Sequence, residues 1–178
     1  MARTKRNSPL NVFMNGRMVG TVQMARSGAI SFAYHESWLT WSNAMPISLS
    51  MPLDETAYGG GPVIAFLENL LPDNQAIRDR VAARVGAEGT DDDKMLEKMG
   101  RDCVGGLEFV VDGHEAGDPT THIEGVEVDA RAIAESLKNL AAAPLGMNED
   151  DDFRISIAGA QEKTALLRFD GKWLRPMG

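Results

Sequence analysis

The period of the apolar positions changes along the chain. Leu10, Val12 and Met14 alternate with polar or outward positions, the twofold repeat of a strand with one buried face. Asn15-Gly16 then supplies the residue pair that a type I′ hairpin turn favours. Met18 to Met24 is the expected return strand, with Val19 and Val22 apolar, and Gly28 opens a third strand over Ala29 to Tyr34. Pro46-Ile47-Ser48-Leu49-Ser50-Met51-Pro52 reads as a short fourth strand, and its bracketing prolines suit an edge. An antiparallel sheet is the expected product.

Beyond Gly59-Gly60-Gly61-Pro62 the period lengthens. Val63, Phe66, Leu67, Leu70 and Leu71 recur at helical spacing, with Pro62 in the first turn and Pro72 ending the run. Asp73 or Asn74 caps a second helix carrying Ile77, Val81 and Val85, closed by Gly86. Thr90 caps a third, with Asp91, Asp92 and Asp93 at its positive end, running through Met95, Leu96 and Met99 to Gly100. Gly106 to Val111 returns to strand, and Asp112 to Glu127 reads as a polar, acidic loop or linker. Val128 to Leu140 is an amphipathic helix with Ile133 and Leu137 on one face, and Pro144 to Asp152 is a second break. Arg154 to Ala158 and Thr164 to Phe169 read as strands around a glycine-containing turn, and Asp170-Gly171 turns the chain into Lys172 to Arg175. The expected fold class is α+β, an antiparallel sheet with packed helices to about residue 112 and a smaller segment after it.

Composition narrows the function classes. A chain of 178 residues, 43% hydrophobic and 25% charged, can bury one real core and is not disordered. One cysteine excludes a disulfide framework and a multi-thiolate zinc site. No apolar run approaches the roughly 18 residues of a membrane span. The basic start leads into Asn7-Ser8-Pro9 instead of an apolar secretory core. A cytoplasmic protein without membrane contact is expected. The net charge of −8 and a pI near 4.9 oppose direct nucleic-acid binding and fit a basic protein partner.

Candidate chemistry is sparse. Ser156-Ile157-Ala158-Gly159-Ala160-Gln161-Glu162-Lys163-Thr164 is a small-residue stretch whose backbone N–H groups could approach a phosphate, with Lys163 adding charge. It has neither the three glycines of a kinase Gly-rich loop nor the Gly-Lys-Ser/Thr end of a P-loop, so by pattern alone a plain hairpin turn is the favoured reading. Gly100-Arg101-Asp102-Cys103 invites comparison with a kinase His-Arg-Asp loop, but Leu107 stands where that loop needs a metal-binding Asn, and a turn after a helix accounts for it. Phe169-Asp170-Gly171 is a turn, and Gly59-Gly60-Gly61 has nothing basic after it to hold an anion. His35, His114 and His122 show no ligand spacing, Cys103 reads as a small buried thiol, and the runs at 91–93 and 149–152 read as solvated faces.

Four strings together carry a resemblance. They are Pro46-Ile47-Ser48-Leu49-Ser50-Met51-Pro52-Leu53, Phe66-Leu67-Glu68-Asn69-Leu70-Leu71-Pro72-Asp73-Asn74, Gly100-Arg101-Asp102-Cys103-Val104-Gly105-Gly106, and Ser156 through Leu167. In order and spacing, from about residue 9 onward, they resemble the N-terminal half of the HipA-like serine/threonine kinase toxins of type II toxin–antitoxin modules. The resemblance implies an N-terminal subdomain over 9–112, a linker and helix over 113–152, and the start of a kinase lobe over 153–178. It implies that Ala158 to Thr164 is the ATP phosphate loop, and that Ser156 is the serine whose autophosphorylation displaces that loop.

By the same resemblance, ATP and Mg²⁺ are the cofactors, and a HipB-like helix-turn-helix antitoxin or a separate HipA kinase lobe is the partner. The nucleotide-pairing lysine, the catalytic Asp and the metal-binding Asn and Asp of the family fall past Gly178. This chain alone is therefore expected to hold ATP weakly and to have no catalytic or metal-ligating residue of its own. A module that docks on a kinase lobe or antitoxin is the expected function. The alternatives are a stand-alone inhibitor of such a kinase, the product of a truncated toxin gene and, lowest, a self-sufficient nucleotide enzyme.

Overall fold

The computed structural model describes residues 8–114, 116, 125–140, 155–156 and 163–176. Strands β1 (Leu10–Met14) and β2 (Arg17–Met24) pair antiparallel across Asn15 and Gly16, whose φ angles are 48° and 74°. Both central residues are thus left-handed, as a type I′ turn requires. The pairing shifts register between Val12 and Phe13, an irregularity that increases local twist. Strand β3 (Ile30–Tyr34) joins the far side of β2. A short helix α1 (Glu36–Leu39) follows, capped by the His35 side chain, which accepts from the Ser37 N–H.

Strand β4 (Tyr58–Gly59) pairs with β3 and leads into α2 (Gly61–Glu68). Helix α3 (Gln75–Val85) is capped by Asn74, whose side-chain oxygen accepts from the N–H groups of Ala76 and Ile77. It ends at Gly86, left-handed at φ 68°, a conformation that carries no Cβ penalty in glycine. Helix α4 (Asp92–Met99) then delivers the chain to β5 (Asp102–Cys103) and β6 (Leu107–Val111), and β6 lies beside β1. With β8 (Ile155–Ser156) the sheet has seven strands in the order β4-β3-β2-β1-β6-β5-β8. Every pairing in it is antiparallel except β5 with β8.

The core is one cluster that joins sheet and helices. Val12, Val19, Phe32 and Phe109 from the strands meet Trp38, Val63, Leu67, Val81, Met95, Leu96 and Met99 from the helices, together with Met51 and Leu71. Each fully buried side chain of this size stabilises the fold by about 1.5–3 kcal/mol. Buried polar groups find partners: Trp38 Nε1 donates to Met45 O at 3.0 Å, and Tyr34 OH donates to Met51 O at 2.6 Å.

Strand β7 (Gly125–Glu127), helix α5 (Ala130–Lys138), strand β9 (Leu167–Phe169) and strand β10 (Lys172–Pro176) make up the rest of the described chain. Their strands form a separate antiparallel sheet in the order β7-β10-β9. Asp170 and Gly171, at φ 49° and 75°, turn β9 into β10.

Three expectations are corrected. Residues 46–52 make no strand. They form a turn with one bridge between Ser48 and Met51, because the Tyr34 hydroxyl takes both the Ile47 N–H and the Met51 carbonyl that a ladder would have used. The stretch 112–127 is not wholly loop, since its last three residues are β7, paired with β10. The strands on either side of residues 157–162 do not pair with each other: β8 joins the large sheet, β9 the small one. The overall class is α+β, built on an antiparallel sheet with packed helices.

Candidate functional site

The segment that joins α4 to β6 is assembled around Gly100. Its N–H donates to Leu96 O at 2.9 Å, and its carbonyl accepts from Phe109 N at 2.6 Å and from Cys103 Sγ at 3.5 Å. A Cβ on Gly100 would stand 2.5 Å from Leu96 O and 2.8 Å from Phe109 Cβ, so helix and strand approach this closely only across a glycine. Gly105 and Gly106, at φ 83° and 68°, close the β5–β6 hairpin, and Asn15 N donates to Gly106 O at 3.3 Å. Arg101 pairs with Glu108 at 3.5 Å. The string at 100–106 therefore has a structural purpose. Asp102 lies in a strand instead of the expected turn, and Cys103 is a buried thiol 4% exposed.

This hairpin is also where Ser156 arrives. Strand β8 runs parallel to β5, with Ile155 opposite Asp102 and Ser156 opposite Cys103, and α4 lies against it. The backbone of Ser156 is thereby fixed at the last strand of the seven-stranded sheet. Ala158, Gly159, Ala160, Gln161 and Glu162 lie outside the described residues. Lys163 and Thr164 are half-buried, and Ala165 packs against the main core. The candidate loop is thus bounded by β8 on one side and by a segment seated on the core on the other.

The small sheet begins two residues later. Lys172 Nζ reaches across it to Glu127 Oε2 at 2.8 Å, Arg168 stands 5.8 Å from the Trp173 ring centre, and Phe169 and Trp173 are exposed. Phe169-Asp170-Gly171 is the β9–β10 turn. Among the described residues no three His, Cys, Asp or Glu side chains are grouped to hold a metal ion. Nor is any helix among them long and apolar enough to cross a membrane.

Electrostatics concentrate behind the site, between α3 and α4. Arg78 donates from Nε to Pro72 O at 3.0 Å and from Nη1 to Thr90 O at 3.4 Å, and its Nη2 pairs with Asp92 at 2.9 Å. Burial pushes the Asp92 carboxyl above the ordinary aspartate range, and the neighbouring Arg78 guanidinium opposes that shift without cancelling it. This clamp joins the two helices and fixes the start of α4. Sequence reasoning missed it, and it missed the β5–β8 pairing. Ionic partners 14 positions apart and strand partners some 50 apart leave no local signal.

The seven-stranded sheet with its helices packed on it defines an α+β domain. The family model of the HipA N-terminal domain matches residues 10–110, and the chain belongs to that family. A relative from Sinorhizobium fredii named "Putative kinase Y4mE" is 31% identical over 170 residues, covering 94% of this chain and 40% of that protein. Among solved structures, HipA of the Shewanella oneidensis MR-1 toxin–antitoxin system, in complex with HipB and its operator DNA, is similar with a TM-score of 0.64. It is 21% identical, and the match covers 94% of this chain and 39% of that one. The chain thus spans about two fifths of the length of each.

Proposed function

We propose that these 178 residues act as the N-terminal docking module of a HipA-like serine/threonine kinase. In this reading the module packs against a kinase lobe, on the same or another polypeptide, and is bound by a helix-turn-helix antitoxin. The observation that carries it is the reach of the likeness. Similarity to a kinase-named relative extends over 94% of the chain, well past the family domain that ends at residue 110.

Residues 158–164 would then line the phosphates of ATP, with the backbone N–H groups of small residues and Lys163 as the binding elements. ATP, with Mg²⁺, would supply the phosphoryl group. Ser156, held against β5, would be the regulatory serine. A phosphate there adds roughly −1.5 to −2 charge beside the loop and would repel nucleotide phosphates. Positioned charge is the main source of phosphoryl-transfer rate, and in this reading the kinase lobe supplies it.

Two measurements test the reading. Purified 178-residue protein with radiolabelled ATP and Mg²⁺ should place no label on Ser156 or on a generic substrate, and label on Ser156 would contradict the division of labour. The protein should also retain a family kinase lobe in a pull-down. Leu166→Asp with Trp173→Asp should abolish that contact by burying unpaired charge, while Ser156→Ala leaves it intact. Retention of neither lobe nor antitoxin at any salt concentration would sink the proposal.

A further inference from the structure

The three-stranded sheet sorts its side chains by face. Residues directly opposite one another across a ladder share a face, and successive residues of a strand point to opposite ones. Trp173 stands opposite Arg168, and Arg175 opposite Val126. One face therefore carries Arg168, Trp173, Arg175 and Val126, with no Asp or Glu at its strand positions. The other carries Leu167, Phe169, Lys172, Leu174 and Glu127. There the cation is matched, Lys172 Nζ lying 2.8 Å from Glu127 Oε2.

The first face is both open and ordered. Trp173 and Val126 are 43% and 44% exposed, and Arg168 is exposed beside them. The Arg168 guanidinium lies 5.8 Å from the Trp173 ring centre, within the roughly 6 Å reach of a cation–π contact. These two side chains are thus set against each other before a partner arrives, which lowers the ordering cost of binding. Trp and Arg are also the residues that most often dominate a protein interface. The charge is out of character with the rest of the chain. Residues 163–176 hold Lys163, Arg168, Lys172 and Arg175 against Asp170 alone, in a protein of net charge −8.

We propose that the face bearing Arg168, Trp173 and Arg175 receives the kinase lobe, and that the lobe presents an apolar socket for Trp173 with carboxylates beside it. This rests on the function proposed above, and adds to it the face used and the chemistry of the surface that fits it. Nucleic acid fits less well, because two arginines neutralise few phosphates and the rest of the chain is acidic. A protein surface with a few carboxylates needs only local pairing. A basic face on an otherwise acidic molecule also orients the encounter with such a surface.

The test is calorimetric binding of a family kinase lobe to the full 178-residue chain at low and high salt. Trp173→Ala should weaken binding by at least about tenfold at both. Arg168→Gln should weaken it about two- to fivefold at low salt and flatten the salt dependence. Lys172→Gln removes the same charge next to Trp173 but on the opposite face, and should change binding by less than about twofold. All three side chains are exposed, so the melting temperatures should stay close to wild type. Equal losses from Arg168→Gln and Lys172→Gln would overturn the choice of face. Lobe binding that Trp173→Ala and Arg168→Gln both leave intact would overturn the proposal while the docking function stands. Absence of wild-type binding would overturn that function, and this proposal with it. Binding of single-stranded oligothymidylate, or self-association in sedimentation, that Trp173→Ala removes would give the face to nucleic acid or to a second copy and overturn the lobe assignment.

Discussion

The two halves of the molecule differ in what holds them. Every fully buried apolar side chain described lies between Leu10 and Val110. Among the residues after 112 whose burial is described, none is fully buried, although that region forms a helix and the whole three-stranded sheet. Helix α5 shows the contrast most plainly. It is well capped, with Asp129 accepting from Ala132 N at 2.7 Å, yet it buries no side chain and leaves Leu137 exposed. Local rules suffice to form such a helix, but only a buried face makes it stable. The first region has a core of its own. The second shows secondary structure whose described side chains are half-buried or exposed, with β8 and Ala165 joined to the first region.

Core truncation should separate the halves most. Leu67→Ala removes a fully buried side chain beneath the sheet and should cost about 2–5 kcal/mol in denaturant unfolding. Trp173→Ala, at a side chain 43% exposed, should cost under about 1 kcal/mol in the isolated protein. Equal losses would mean that the second region shares the core of the first.

Removing caps asks the same question more gently. Asn74→Ala deprives α3 of its two N-terminal acceptor bonds and should lower global stability by about 1 kcal/mol. Asp129→Ala makes the same kind of change in α5, but should reduce local helicity while leaving the unfolding midpoint in place. A shift in that midpoint would join α5 to the cooperative unit.

The smallest effect concerns pH. Because burial raises the Asp92 carboxyl above its unfolded value, its protonated form is favoured in the fold. The corresponding stability is fully present below the unfolded value and is lost as pH rises through the raised folded value. Asp92→Asn should flatten the pH dependence of unfolding in that window and nowhere else. An unchanged slope would show that Arg78 cancels the effect of burial on this carboxyl, and a steeper one that Arg78 outweighs it.

How much of this was legible in the sequence follows from the range of each interaction. The β1–β2 hairpin is written in Asn15-Gly16, and α3 in Asn74 and Gly86, because these elements are set by neighbours. Helix α1 escaped notice since four residues give no period. The 46–52 segment looked like a strand until the Tyr34 hydroxyl, 13 and 17 positions away, took its backbone groups. The candidate site was legible as strings and not as a place. Nothing in Gly100-Arg101-Asp102-Cys103 says that Ser156 lies beside it, because a parallel pairing needs a long crossover and leaves no turn signature.

The account is tested most directly by residue-level hydrogen exchange on the isolated monomer. Strands β1, β2 and β6 should exchange near the rate of global unfolding, while α5, β7, β9 and β10 exchange orders of magnitude faster through local opening. Addition of a family kinase lobe should slow the second group selectively. Uniform protection of both groups in the free monomer would contradict the claim that the region after residue 112 relies on a partner surface.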